Sequence, residues 1–389
     1  MLVIAFGLGL AGGAGCKKKS STETGAGSST MSGSSTTGTA AGSAGGTAMG
    51  SAGSAAGSAE APKETPKTGN DLAAKYTDCV GHINAGKFDD FKSQCIAADY
   101  KGHQVDAPVV ASADDAINYF KGNRVAFPDM KLAPQLVLIN GRNVLAVNLA
   151  TGAHTGVMKT PMGDVPATNK KIGQLLFHRL AINDENRANE EWVFMDPSTM
   201  MGQLGMLPKE AGPSRLAMEK GLEGAPVVVI ATDDAKEKAN LEVVTKANAA
   251  FNTHKMADAM AFYADDAVEA DQAGSKDHKG KKDIEAGTSV LLKGFSDFKI
   301  ESQQAFAAGD YVVTLGAFTG THDGPLGPLK ATGKKVNGSF AEIFKLKDGK
   351  ITEVWRFRNG MTMAAQLGLM GDAPKGEAPK AEPKAEKKG

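Results

Sequence analysis

Charge of one sign is what this sequence lacks: lysine plus arginine and aspartate plus glutamate both number 44 in 389 residues. No basic or acidic field therefore draws the chain to nucleic acid or to an acidic partner. Cysteine is scarce, with three residues and no CxxC pair, and the seven histidines show no HxH or HxxxH spacing. Neither a zinc site nor any other metal centre is expected, and nothing implies a cofactor. Long hydrophobic runs are missing too. The apolar start, MLVIAFGLGLAGGAG, is too short to span a bilayer as a helix but suits the core of a signal peptide. Glycine is abundant, at 47 residues, but it concentrates near the N-terminus and marks low complexity there.

The sequence does contain one passage twice. EEWVFMDPSTMMGQLGML at 190–207 returns as TEVWRFRNGMTMAAQLGLM at 352–370, with Trp192 eleven positions before Gln203 and Trp355 eleven before Gln366. FPDMKL at 127–132 answers FSDFKI at 295–300, and GAHTG at 152–156 answers GTHDG at 320–324, both shifted by 168. ATNKKI at 167–172 answers ATGKKV at 331–336, shifted by 164. Offsets this constant mean a duplicated domain. The chain then divides into a signal with a candidate lipid-anchor cysteine (1–16), a tether (17–69), a first domain (70–208), a connector (209–238), a second domain (239–371) and a Lys/Glu/Pro/Ala tail (372–389).

Gly13, Ala14 and Gly15 before the lone Cys16 resemble the lipobox of bacterial lipoproteins. The resemblance implies export, lipidation of Cys16 and a membrane partner reached through that lipid. Gly13 stands where the lipobox prefers leucine, and the basic stretch that opens such signals is missing. After Lys17–Lys19 come more than forty residues of Gly, Ser, Thr and Ala, too poor in apolar surface to order themselves. A flexible tether of about fifty residues would reach about 40 Å. Lysine rather than aspartate at position 17 mildly favours the outer membrane, at the periplasmic side or the cell surface. In an exported protein Cys79 and Cys95, on consecutive expected helices, can pair as a disulfide or remain two buried thiols.

Each copy opens with helical signals. Asn240 is expected to cap a helix to about 252, with Leu241, Val244, Ala247, Asn248 and Phe251 at helical spacing, and a second helix is expected over 256–263. Strand character follows at 311–318 and 340–346, then a tight Asp-Gly hairpin at 347–350, a strand at 351–359 and a short helix near 361–370. In the connector, 214–221 is expected to form a short helix and 226–230 an edge strand. The fold class is α+β: two or three helices, then a meander of long antiparallel strands, built twice.

Asp348-Gly349-Lys350-Ile351, Glu353, Trp355 and Gln366-Leu367-Gly368, with GTHDG and ATGKKV upstream, resemble the SnoaL-like polyketide cyclase or ester cyclase family of the nuclear transport factor 2-like superfamily. The first copy carries the resemblance in Glu190, Trp192, Asp196 and Gln203-Leu204-Gly205, with an altered hairpin. The resemblance implies two tandem cone-like domains, each with N-terminal helices packed on a curved antiparallel sheet around an apolar cavity.

Residues two apart on a strand share a face. Ile351, Glu353, Trp355, Phe357 and Asn359 are therefore expected on the pocket wall, and Thr352, Val354, Arg356 and Arg358 on a solvated or interface face. In the first copy Glu190, Trp192, Phe194 and Asp196 take the wall positions. The family resemblance makes Asp196 a general acid/base, assisted by His154; a helix-turn role is the alternative for Asp196, and a loop-holding role for His154 and its counterpart His322. Asn359 replaces the aspartate in the second copy, and an amide cannot take a proton at neutral pH. The methionine-rich ends are expected either to pack or to form an adaptable mouth over a ligand. Three functions remain open: a tethered binder of small apolar or polyketide-like molecules, a cyclase or isomerase using Asp196, and a non-catalytic pair in which domain 1 packs on domain 2.

Overall fold

The computed structural model describes residues 65–107, 110–160, 163–207 and 213–370. The signal, Cys16, the tether and the C-terminal tail lie outside the described residues.

The first domain begins with α1 (Thr65–Asn84) and α2 (Phe88–Cys95), then β1 (Ile96–Gln104), β2 (Val110–Ala111) and α3 (Ala113–Ala126). The long strands follow: β3 (Lys131–Asn140), β4 (Asn143–Ala153), a small hairpin of β5 (Met158–Thr160) and β6 (Gly163–Val165), β7 (Lys171–Ile182) and β8 (Ala188–Phe194). Then come α4 (Pro197–Gln203) and, from the connector, β9 (Val227–Ile230). The second domain repeats the plan with α5 (Ala235–Phe251), α6 (Met256–Met260), β10 (Tyr263–Asp271), β11 (His278–Lys279), α7 (Lys281–Gly294), β12 (Lys299–Ala308), β13 (Tyr311–Thr321), β14 (Lys335–Lys347), β15 (Lys350–Arg358) and α8 (Gly360–Gln366).

The first sheet has the order β2-β1-β8-β7-β4-β3-β9 and the second β11-β10-β15-β14-β13-β12. Both are antiparallel meanders closed at one side by a parallel strand, β1 against β8 and β10 against β15. To the helices and antiparallel meander expected of each copy the structure adds a parallel strand. A strand lies between the second and third helices, and YADDAVEAD becomes β10 by pairing with β15 rather than by its own residue preferences. The helix expected to start at Asn240 begins at Ala235 behind Asp234, whose side chain accepts from Glu237 N–H. Asn240 lies inside it, donating to Gly309 O. The second helix stops at Met260, and Tyr263 opens the strand. Residues 213–219 are not helical, whereas Val227–Ile230 pairs parallel with β3 at the sheet edge.

Each sheet turns one face to its own helices and the other to the companion sheet. Leu138, Leu145, Val147, Phe177 and Phe194 of the first domain form one buried cluster with Val313, Ile343, Trp355 and Phe357 of the second. The rings of Phe177 and Phe357 lie 5.9 Å apart across this join. Polar contacts fix it at the edges: Asp106 accepts from Ser339 N–H at 2.9 Å, and Asn140 donates to Ala307 O at 2.9 Å. Met201 and Met361, on α4 and α8, are buried against each other with Met206, Leu207 and Met370 beside them. These methionines pack between the domains rather than forming a mouth.

Cys79 and Cys95 are joined as a disulfide linking α1 to α2.

Candidate functional site

Most residues shared by the two copies hold the chain to itself. His154 and His322 are fully buried at the ends of β4 and β13. In each, Nδ1 accepts a backbone N–H, from Thr168 or Thr332, at 3.2 Å. The threonine hydroxyls lie 3.1 and 3.0 Å from the same nitrogens. Each ring packs against a phenylalanine, Phe127 or Phe295, with centroids 5.1 Å apart. Gln203 and Gln366 of the QLG motifs accept from Gly173 and Asn337 N–H, tying the last helix of each copy to the sheet. Asp129 and Asp297 of the FPD and FSD turns accept from Ala153 and Thr321 N–H.

The His154 geometry has a pH consequence. Burial, which penalises the charged imidazolium, pushes its pKa below the ordinary histidine value. The unfolded chain therefore takes up the proton first as pH falls. The stability tied to this site is fully present above about pH 6.5 and is lost below it, towards the folded-state value. Denaturant midpoints at pH 7.5 and 5.5 should show a smaller acid loss in His154→Asn than in wild type. An equal loss would place the sensitivity elsewhere.

Asp196 and Asn359 are also equivalent in structure. Each is the N-cap of the following helix, accepting from Thr199 N–H at 2.9 Å and Thr362 N–H at 3.2 Å. Asp196 additionally accepts from the hydroxyls of Thr199 (2.8 Å) and Ser198, and from Gly360 N–H of the second domain at 2.9 Å. Asp and Asn are both good caps, so the difference between the copies preserves this job. Asp196 does not line either cavity described below.

The wall itself is on the other face. Trp355, Phe357 and Phe194 are buried in the join between the sheets, with Trp192 packed against it. Trp192 stacks on His103 with centroids 4.1 Å apart. Beside them Glu190 accepts from Arg179 at 2.9 Å. Burial opposes the Glu190 charge, but Arg179 and His103 hold its carboxyl below the usual range. Glu353 pairs with Lys345 at 2.7 Å on a half-exposed surface. A bulge explains part of the change: Leu346 pairs with Ile351 and Lys345 with Glu353, so Thr352 is an extra residue and Ile351 joins Val354 in the second domain's core. None of Glu190, Trp192, Phe194, His154, His322, Glu353, Trp355, Phe357 and Asn359 lines either cavity.

The cavity-facing residues are their neighbours. In the first domain a cavity of about 60 Å³ lies between α1, α2 and the sheet. The stripe Leu72, Tyr76, Cys79, Val80 and Ile83 of α1 covers it, as the helical repeat dictates, and the disulfide forms part of its wall. The space exceeds the roughly 10–15 Å³ that one water requires but is smaller than the about 150 Å³ cavity that takes up benzene, so a ring-sized guest must widen it. Its lining is mainly apolar, but seven polar side chains line it: Lys75, Tyr76, Tyr100, Asn148, His178, Asn186 and Glu191. Glu191 contacts His178 Nδ1 through one oxygen and accepts from the Tyr100 hydroxyl through the other. Burial works to raise the Glu191 carboxyl, yet His178 and the two hydrogen bonds together hold it below its ordinary value. Burial, with the Glu191 charge, pushes the Tyr100 hydroxyl up. Asn148 donates to the Tyr76 hydroxyl at 2.7 Å.

The second domain fills the same interior. Strand pairing makes Phe340, Glu342 and Val354 of the second domain the counterparts of Leu176, His178 and Glu191 of the first. Gly316 stands where Asn148 does, with the Phe340 ring over it. Phe251, Phe298, Phe340 and Phe344 crowd this core and leave a cavity of about 20 Å³. Arg356 enters it between Glu269 at 3.1 Å and Glu342 at 3.3 Å. Arg358 pairs with Asp271 at 2.6 Å. The face expected to be solvated thus carries the charges of the interior. Burial raises the Glu342 carboxyl despite Arg356, and Glu269 and Asp271 add to the rise.

Among the described residues no group of three or more His, Cys, Asp or Glu is placed to hold a metal ion. No helix there is long and apolar enough to cross a membrane.

Helices laid over a curved sheet around an interior, built twice in one chain, define a nuclear transport factor 2-like protein. More narrowly, the chain belongs to the SnoaL-like polyketide cyclase family, whose sequence model matches residues 70–204 and 241–367. No curated protein matches it. Among solved structures, a Streptomyces galilaeus protein is similar at 24% identity, covering 36% of this chain and 87% of its own, with a TM-score of 0.32. A SnoaL-like protein from Jannaschia sp. CCS1 is similar at 20% identity, covering 34% and 94%, with a TM-score of 0.33. An NTF2-like protein from Burkholderia thailandensis E264 is similar at 21% identity, covering 33% and 96%, with a TM-score of 0.30.

Proposed function

We propose that this chain binds a small, largely apolar or polyketide-like molecule inside its first domain, and that the second domain is the scaffold holding the first. The observation behind this reading is the contrast between two interiors built on one plan. One keeps an apolar cavity with a few convergent polar groups, the usual make-up of a small-molecule site. The other is closed by phenylalanines and an internal ion-pair cluster. The proposal extends to location: the lipobox-like segment and Cys16 support an exported protein, tethered by lipid at the outer membrane.

A second reading, proton transfer of the cyclase or isomerase kind, is favoured by the His178–Glu191 contact. A carboxylate that orients an imidazole whose second nitrogen lies on a cavity wall is an arrangement suited to a general base. On this reading His178 takes a proton from the carbon next to a carbonyl, and Glu191 stabilises the imidazolium that forms.

One experiment separates these ideas. Native mass spectrometry of the full-length protein should show a retained small molecule, or uptake from a panel of apolar compounds, and a lipid mass on Cys16. Ile83→Phe, which copies Phe251, should block uptake with the fold intact. In D₂O, deuterium entering a carbon of the bound molecule would favour the enzyme reading, and its absence simple binding. A protein that retains and takes up nothing overturns both, and an unmodified Cys16 removes the anchor.

A further inference from the structure

The cavity of the first domain holds polar groups that its own residues do not satisfy. Asn148 is 1% exposed and lines the cavity. Its amide nitrogen donates to the Tyr76 hydroxyl, and its carbonyl oxygen has no hydrogen-bond partner within the protein. An unpaired buried amide oxygen is costly unless something in the cavity donates to it. The Tyr76 hydroxyl accepts from Asn148, which leaves its own proton free to donate beside that oxygen. Nε2 of His178, on the same cavity, is likewise buried and unpartnered. Leu72, Val80, Ile83, Phe91, Phe120 and Leu132 surround these groups, so the complement must be apolar elsewhere.

We infer that the first domain selects neutral apolar molecules bearing a hydroxyl group, which the Asn148–Tyr76 pair recognises. The inference rests on the binding reading above. A hydroxyl both donates and accepts, so it answers the Asn148 oxygen and the Tyr76 proton together. It also fits the amide turned over, with its carbonyl accepting from Tyr76 and its NH₂ facing the cavity. It suits His178 in either protonation state, accepting from Nε2–H or donating to a bare Nε2. A hydrocarbon of the same shape leaves all three groups unpaired, and a carbonyl leaves the Asn148 oxygen so. A carboxylate would be buried beside the charge of Glu191. The second domain lacks this device because Gly316 and Val244 stand at the positions of Asn148 and Tyr76.

The test compares two ring-sized probes of nearly equal shape, p-cresol and toluene, by titration calorimetry on the full-length disulfide-bonded protein. p-Cresol should bind about tenfold more tightly than toluene, which corresponds to about 1.4 kcal/mol. Asn148→Leu and Tyr76→Phe should each shrink that preference to within about twofold while toluene affinity holds or improves. Equal binding of the two probes by the wild-type protein overturns the inference and leaves the binding reading standing. So does a preference that survives both substitutions, since the hydroxyl would then be read elsewhere. If neither probe binds, the binding reading fails first. The wild-type comparison needs no variant, so a substitution that fails to fold does not protect the idea.

Discussion

Replacing Arg356 by methionine should lower the stability of the protein by about 3–5 kcal/mol, the usual result of stripping the partner from buried charges. Arg356 lies between two carboxylates, and the side chains of Glu269 and Glu342 are only 8% and 6% exposed. Without the guanidinium these carboxylates repel each other in a poorly solvated interior, and the folded state must protonate at least one. The pH dependence follows. In Arg356→Met the Glu342 carboxyl, already raised by burial, loses the charge that opposed the rise, so the variant is more stable at low pH and loses stability as pH rises through that carboxyl's folded-state value. Urea midpoints should show a larger deficit at pH 8 than at pH 5. A triple variant, Arg356→Leu with Glu269→Gln and Glu342→Gln, should recover most of the loss, because removing the whole cluster leaves no orphaned charge. A deficit below about 1 kcal/mol in the single variant would mean that water reaches the cluster and screens it.

This cluster also shows what the sequence made legible and what it did not. The duplication, the fold class and the Asp-Gly hairpin were all local or arithmetical signals. Asp348 and Gly349 adopt φ of 50° and 71°, as a two-residue hairpin of that chemistry requires. The choice of face was not local. Two things decide it: a one-residue bulge at Thr352, and which side of each sheet meets the other domain. Slipping the parity of a strand moves every side chain to the opposite face. Trp192, Phe194, Trp355 and Phe357 looked like a pocket wall because a hydrophobic sheet join and a hydrophobic pocket select the same residue types. The cavity residue Glu191 sits between Glu190 and Trp192, on the opposite face of the same strand. Tyr100 and Asn148 carried no signal, since their neighbours arrive from distant parts of the chain. The strand β10 was missed because four of its nine residues are acidic, two of which, Glu269 and Asp271, are placed by Arg356 and Arg358 of β15. Agreement between the copies marks the clamps: His154 and His322, Gln203 and Gln366, Asp129 and Asp297. The interiors are where the copies part.

Asp196 is where that lesson has the largest measurable effect. Asp196→Ala should cost about 3–4 kcal/mol, combining a lost N-cap of about 1–2 kcal/mol with lost hydrogen bonds to a charged group. The loss is large because one carboxylate serves two domains. One oxygen gathers Thr199 N–H and the hydroxyls of Thr199 and Ser198, and the other accepts Gly360 N–H at the start of α8. The Thr199 hydroxyl also lies 2.9 Å from Gln272 O, so its one proton is shared between Asp196 and the second domain's sheet. Asp196→Asn should cost less, about 1–2 kcal/mol, for a reason specific to the geometry. The amide oxygen can keep the cap, as Asn359 does for Thr362, but its NH₂ then faces the Gly360 N–H, donor against donor. The ranking, wild type above Asn above Ala in urea midpoint, belongs to a cap and a domain clamp. An acid/base residue would behave in the opposite sense: Asn would abolish turnover with little change in midpoint. Measuring both variants for unfolding and for uptake of an apolar probe distinguishes the roles. Unchanged midpoints in both would return Asp196 to the list of candidate proton carriers.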